Sequence, residues 1–135
     1  MNSRRHARTS SDAAEAFPRG DRILRRSDFL RAQSEGRRVH TPHFVIVALP
    51  GERGHLRLGV TVSRKVGDAV RRNRVKRLLR EVFRRNRALF PRACDVVVVA
   101  RAGAYTLDYA GVRDELGAAE GALRRAAREP RAAEK

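Results

Sequence analysis

The run CDVVVVA, residues 94–100, is a strand-length apolar stretch broken only by Asp95, and from Val96 to Ala100 it is apolar at odd and even positions alike. Alternate residues of a strand point to opposite faces. Both faces must therefore be covered, which is the pattern of a central strand in a sheet packed on both sides. The run falls far short of the roughly 18 residues needed to cross a bilayer.

The remaining elements follow from period and punctuation. The segment RRSDFLRAQSEG predicts a short helix, with Ser27 as N-cap and Gly36 ending it. RRVHTP predicts a short edge strand, where Pro42 is tolerated. HFVIVALP reads as a buried strand and GERG as a turn. Beyond it Leu56, Leu58, Val60 and Val62 alternate with Arg57, Gly59, Thr61 and Ser63, which predicts a hairpin with one covered face. Asp68 to Leu89 reads as a helix closed by Pro91. The last helix carries Tyr109, Val112, Leu116, Ala119 and Leu123 at three- and four-residue spacing, weakened by Gly111, Gly117 and Gly121.

The expected fold class is α+β: a two-layer α/β sandwich with an about four-stranded mixed sheet and three helices, in the order α-β-β-β-α-β-α. Strands 56–63 and 95–101 are joined by a helix and so are expected to be parallel. A length of 135 residues suits one domain, expected over 18–128. Residues 1–17 are expected to be a disordered basic arm and 129–135 a disordered tail.

Charge directs attention to partners. Lys and Arg number 31 against 15 Asp and Glu, a formal net charge of +16, and such a chain is expected to seek a polyanion. Cys94 is the only cysteine, which permits no internal disulfide and suits a reducing compartment. The basic N-terminus lacks the apolar core of a secretory signal, so the cytoplasm is expected.

The charge is concentrated on one helix. With successive residues about 100° apart, Val75, Leu78, Leu79, Val82, Phe83 and Phe90 share an arc that must pack on the sheet. Asn73, Arg77, Arg80, Arg84 and Arg87 form a row on the opposite side. Surface helices are stabilised by mixed charges four residues apart, yet from Arg64 to Arg92 only Asp68 and Glu81 offset twelve basic residues. An external anion, phosphate above all, explains such a row better than stability does. Upstream, Arg64 and Lys65 end a strand, Gly67 allows a tight turn, and the helix N-terminus adds N–H donors to the same corner. No helix-turn-helix, zinc-ligand or zipper spacing supports DNA, and a membrane would need the apolar arc that the core requires. RNA is the best fit.

At SRKVGDAVRRNRVKRLLREVF, residues 63–83, the sequence strongly resembles the bacterial ribonuclease P protein family, whose signature pairs Lys/Arg with a glycine, an Ala-Val and an Arg-Asn-Arg leading into a basic helix. The resemblance extends more loosely over about residues 20–125. It implies a left-handed crossover around the basic helix, against the usual right-handed rule. It further implies a subunit that binds a catalytic RNA in a 1:1 complex. Together the two remove the 5′ leader of precursor tRNA, with Mg2+ required by the RNA–protein holoenzyme and no cofactor bound by the protein alone. By motif matching, Arg64, Lys65, Arg72, Asn73, Arg74, Lys76, Arg77 and Arg80 would lie against the catalytic RNA, and Arg71 and Arg84 join that expected set. A cleft between the first helix and the sheet would hold the leader. Phe29 and Phe44 match its aromatic positions, whereas Gln33 and Val47 stand where relatives often place further aromatics for base stacking.

A protein-borne catalytic centre is not expected. Asp114 and Glu115 are adjacent and point about 100° apart; His40 and His43 make at most a two-ligand metal site; Ser63 and Cys94 have no evident base. The alternative function is a ribosomal or general RNA-chaperone protein with no cleavage role.

Overall fold

The computed structural model describes residues 19–51 and 54–128; the arm expected over 1–17 and the tail expected over 129–135 lie outside the described residues. Its elements are α1 (Arg26–Glu35), β1 (Arg37–His40), β2 (Phe44–Pro50), β3 (Arg57–Thr61), α2 (Ala69–Arg85), β4 (Cys94–Ala100), α3 (Tyr109–Ala118) and α4 (Glu120–Arg128). Short 3-10 turns occupy Arg19–Asp21, Arg64–Val66, Arg87–Leu89 and Ala102–Thr106.

The sheet order is β1-β2-β4-β3, with β1 and β4 antiparallel to β2 and β3 parallel to β4. The valine run thus occupies an interior position, as its two apolar faces require. The expected hairpin between 43–50 and 55–63 does not form, because β4 lies between those strands. A strand that must be covered on both faces gains most from two neighbours, and β3 is left at the edge. The hairpin present is β1–β2. Along the outer side of β3, Arg22 forms an isolated parallel bridge with Leu58.

One face of the sheet carries the main core. Phe44, Ile46, Leu58, Val96 and Val98 meet Val75, Leu79, Val82 and Phe83 of α2, together with Val112, Leu116 and Leu123 of the last helices. The apolar arc expected on α2 is the face that packs. The other face is covered by α1 alone, where Ile23, Ala32, Val47 and Val97 form a smaller cluster flanked by Phe29 and Val99. Close approach here depends on two glycines. A Cβ on Gly36 would stand 2.6 Å from both the Ala32 carbonyl oxygen and Val47 Cγ1, and one on Gly59 would stand 2.8 Å from the Phe29 ring. Position 36 is therefore glycine for lack of room for a Cβ, its own φ being an unstrained −79° where the chain leaves α1 in extended conformation.

Three local expectations need correction. Helix α1 starts two residues early, at Arg26, with Arg25 as N-cap and no side-chain cap bond, so Ser27 lies inside the helix. The single last helix is two, giving four helices among the described residues: Ala119 N donates to Leu116 O, closing a tight turn, and Leu123 N then donates to Ala119 O to restart the coil. Lastly, Arg57 is not on an open face. It is 5% exposed and forms a bidentate pair with Asp95, itself 3% exposed, at 2.9 and 2.7 Å. Asp28 of α1 approaches the same guanidinium at 3.5 Å, so one buried cation joins β3, β4 and α1.

Candidate nucleic-acid interface

The basic corner is built by a sequence of local caps. Ser63 Oγ accepts from Lys65 N and opens the 3-10 turn that carries Arg64 and Lys65, both exposed. Gly67 has φ 152°, in the region that favours glycine, and a Cβ there would meet Arg71 Cδ at 2.8 Å. Asp68 caps α2, its Oδ1 accepting from Arg71 N at 3.0 Å. The positive dipole end of this 17-residue helix thus begins three residues after the turn that carries Arg64 and Lys65.

Along α2, Asn73, Lys76, Arg77 and Arg80 line an open groove of about 350 Å3 that Arg22 completes from across the β3 edge. Lys76, Arg77 and Arg80 have no acidic partner among the described residues. Burial, and then the charge of Arg22, lower the pKa of Arg80, so two guanidinium groups crowd one another where an anion would relieve both. Arg22 carries no sequence signal, and only its bridge to Leu58 brings it here. Arg84 lines the same groove but also donates to both oxygens of Glu81. Its hydrogen bond holds the Glu81 carboxyl below its usual value against burial, helped by the charges of Arg84 and Arg85. Arg72 turns inward, with a buried Nε that has no hydrogen-bond partner.

The other flank of α2 is occupied. Arg71 stacks over the Tyr105 ring at 4.5 Å, and Arg74 Nη1 donates to the carbonyls of Tyr105 and Leu107 at 3.0 Å each. These two arginines, expected at the RNA, are held by the turn that follows β4. An incoming phosphate would meet guanidinium groups already fixed in place. Replacing Tyr105 by alanine should lower RNA affinity by about twofold to fivefold, the scale of one exposed cation–π contact. Tyr105→Phe should retain it, as measured by filter binding with circular dichroism to check the fold; equal loss in both variants would exclude ring stacking as the cause.

The expected leader cleft is only partly assembled. Phe29 and Gln33 line a groove of about 500 Å3 beside α1, with Leu24, Leu30 and Thr61. Phe44 does not reach it: fully buried, it points into the main core on the opposite face. Val47 is on the correct face but lies beneath α1 at 1% exposure. The apolar side chains available in their place are Leu24 and Leu30, 51% and 50% exposed. Their exposure could have been suspected from the thin apolar content of α1, but Leu24 precedes the helix and has no periodic signal.

All three histidines among the described residues have defined partners; His55 Nε2 lies 2.9 Å from the Gly20 carbonyl oxygen. His43 Nδ1 lies 2.7 Å from Glu115 Oε1, while the His43 backbone N and Thr41 Oγ1 both donate to Oε2. His40 Nδ1 lies 3.1 Å from Arg101 Nη2. Burial would raise the Glu115 carboxyl, but the bonds from Thr41 and His43, with the charge of His43, hold it below its usual value. A depressed carboxyl contributes stability above its unfolded value and loses it as pH falls through the folded one. Glu115→Gln should therefore flatten the acid limb of a stability–pH curve measured by urea unfolding; an unchanged limb would remove Glu115 from acid denaturation. Among the described residues no three His, Cys, Asp or Glu gather around one point.

A family model described as Ribonuclease P matches residues 17–126. The chain is 45% identical over 109 residues to the Ribonuclease P protein component of Citrifermentans bemidjiense, covering 81% of this chain and 93% of that one. It is 51% identical over 104 residues to that of Desulfovibrio desulfuricans, covering 74% and 80%. Among solved structures, the RNase P protein from Thermotoga maritima aligns with TM-score 0.67 and 36% identity over 77% of this chain and 96% of that one. The RNase P protein from Staphylococcus aureus aligns with TM-score 0.68 and 31% identity over 81% and 93%.

Proposed function

Because this chain belongs to the ribonuclease P protein component family, we propose that it is the RNA-binding subunit of an enzyme that removes the 5′ leader from precursor tRNA in the cytoplasm. The observation that carries this reading is the row Asn73, Lys76, Arg77 and Arg80, which lines an open groove together with Arg22, Arg84 and a single acid, Glu81; Glu81 is paired with Arg84, and Lys76, Arg77 and Arg80 have no ion-pair partner among the described residues. RNA satisfies such a row through its regularly spaced phosphates, and neither DNA nor a membrane is a partner in this reading.

Each part of the surface then has a task. Arg64, Lys65 and the α2 row hold the backbone of a catalytic RNA in a 1:1 complex, with Arg71 and Arg74 fixed as a preset edge. The groove beside α1, with Phe29, Gln33 and the two exposed leucines, takes the single-stranded leader by apolar contact rather than by stacked aromatics. Hydrolysis belongs to the RNA, whose magnesium ions supply the activated water. The described residues offer no cage of three ligands for such an ion, and this chain's part is to offset phosphate repulsion and to align the substrate.

Reconstitution tests this. The protein mixed with a catalytic RNA at low magnesium should cleave precursor tRNA at the leader junction, while neither component alone does so. Cleavage by protein alone would place chemistry in this chain. Absence of any stimulation would turn the reading toward a ribosomal or RNA-chaperone role.

A further inference from the structure

We infer that the pocket at the C-terminal end of α2 seats one unpaired nucleotide of a bound RNA, its base against an apolar wall and its phosphate among arginines. This inference rests on the α2 row being an RNA surface. The pocket measures about 730 Å3, within the range of small-ligand sites, and its lining mixes the apolar side chains of Leu56, Ala88, Phe90 and Ala93 with His55 and the arginines Arg87, Arg92 and Arg124. A bare phosphate would have no use for the apolar wall. A purely apolar ligand would have none for three guanidinium groups. A nucleotide uses both, stacking or packing through its base and pairing through its phosphate.

Charge and geometry agree with that occupant. Two of the three arginines are held by ion pairs, Arg87 with Asp21 at 2.8 Å and Arg124 with Glu120 at 2.9 Å, which fix their guanidinium groups at the pocket and leave Arg92 as the cation for the phosphate. Arg92 is exposed and has no ion-pair partner among the described residues. Arg124 also donates to the Ala88 carbonyl at 2.6 Å, fixing the apolar and charged walls to each other. Ala93 takes φ 55°, which a non-glycine residue adopts at a cost, and its carbonyl is held by Gly51 N at 2.9 Å. Arg87 lies just past the end of α2, in the 3-10 turn Arg87–Leu89, and lines this pocket.

The experiment compares two RNA probes on the full chain: a blunt hairpin, and the same hairpin with two unpaired 3′ nucleotides. The unmodified protein should bind the overhang form about tenfold more tightly, the scale of one stacked base. Ala88→Trp fills the pocket and keeps the Ala88 carbonyl; it should erase that preference and leave blunt-hairpin affinity unchanged. Ala88→Glu gives a second variant if circular dichroism shows the first unfolded. Equal binding of both hairpins by the unmodified protein would overturn the inference, as would a preference that survives at Ala88 but vanishes in Gln33→Ala, which would put the base beside α1. Arg77→Ala separates the underlying reading: it should weaken both probes alike, and failure there overturns the phosphate row instead.

Discussion

Raising salt from 50 to 200 mM is expected to weaken binding of this protein to a large structured RNA by roughly 10³–10⁵-fold, the consequence of releasing counterions from about 6–10 phosphates. The cations that make those contacts must be ones the fold leaves available. Lys76, Arg77 and Arg80 meet that condition, whereas Arg74 holds the carbonyls of Tyr105 and Leu107 and Arg84 is shared with Glu81. Arg77→Ala combined with Arg80→Ala should therefore lower the logarithmic salt slope by about two contacts without altering the circular dichroism spectrum. The pair Arg74 and Arg77 is a poorer choice, because loss of Arg74 frees the turn after β4 and confounds binding with structure. A slope that stays at one or two charges in the unmodified protein would show that the arginine row is not the contact surface.

The second large effect concerns stability. Asp95→Ala should destabilise the domain by about 3–5 kcal/mol, because it leaves the Arg57 guanidinium buried with only Asp28 nearby. The hydrogen bond that Arg57 donates to Asp95 is the main reason the Arg57 pKa is raised, burial opposing it, with the charges of Asp95 and Asp28 adding to the rise. Arg57 thus remains charged at any working pH and cannot escape the loss by neutralising. Replacing both members, Arg57→Met with Asp95→Leu, should recover most of the loss, since two apolar groups bring no desolvation cost. Urea unfolding of the three proteins decides the matter. A single variant that loses less than about 1 kcal/mol, the scale of an exposed pair, would show that water reaches the site.

The elements that were legible in the sequence are those whose signal is local. The two-faced valine run placed β4 inside the sheet, and the three-and-four spacing of Val75, Leu79 and Val82 oriented α2 with its cations outward. Pairing was not legible in the same way. Leu56, Leu58, Val60 and Val62 alternate as a hairpin strand would, but which neighbour β3 takes is decided by β4, nearly forty residues later. Arg57 looked like a solvated residue of that alternation, and nothing near it in the chain announces Asp95. The tie between His43 and Glu115 spans 72 residues and has no local trace. Phe44 is a different matter. Phe44 and Val47 are three apart on one strand and so must point to opposite faces; the period of two already forbade both from lining one cleft.

The two rims of the sheet bear on how such a chain survives before it meets RNA. Exposed strand rims invite other chains to add on, the first step toward fibrils and precipitates. Here one rim is only the four-residue β1, carrying Arg37, Arg38 and His40, and the other is partly shielded where Arg22 runs beside Leu58. Short length, like charge and a covering segment each discourage sheet-to-sheet addition. The same surplus of arginine that draws a polyanion thus also keeps free copies apart.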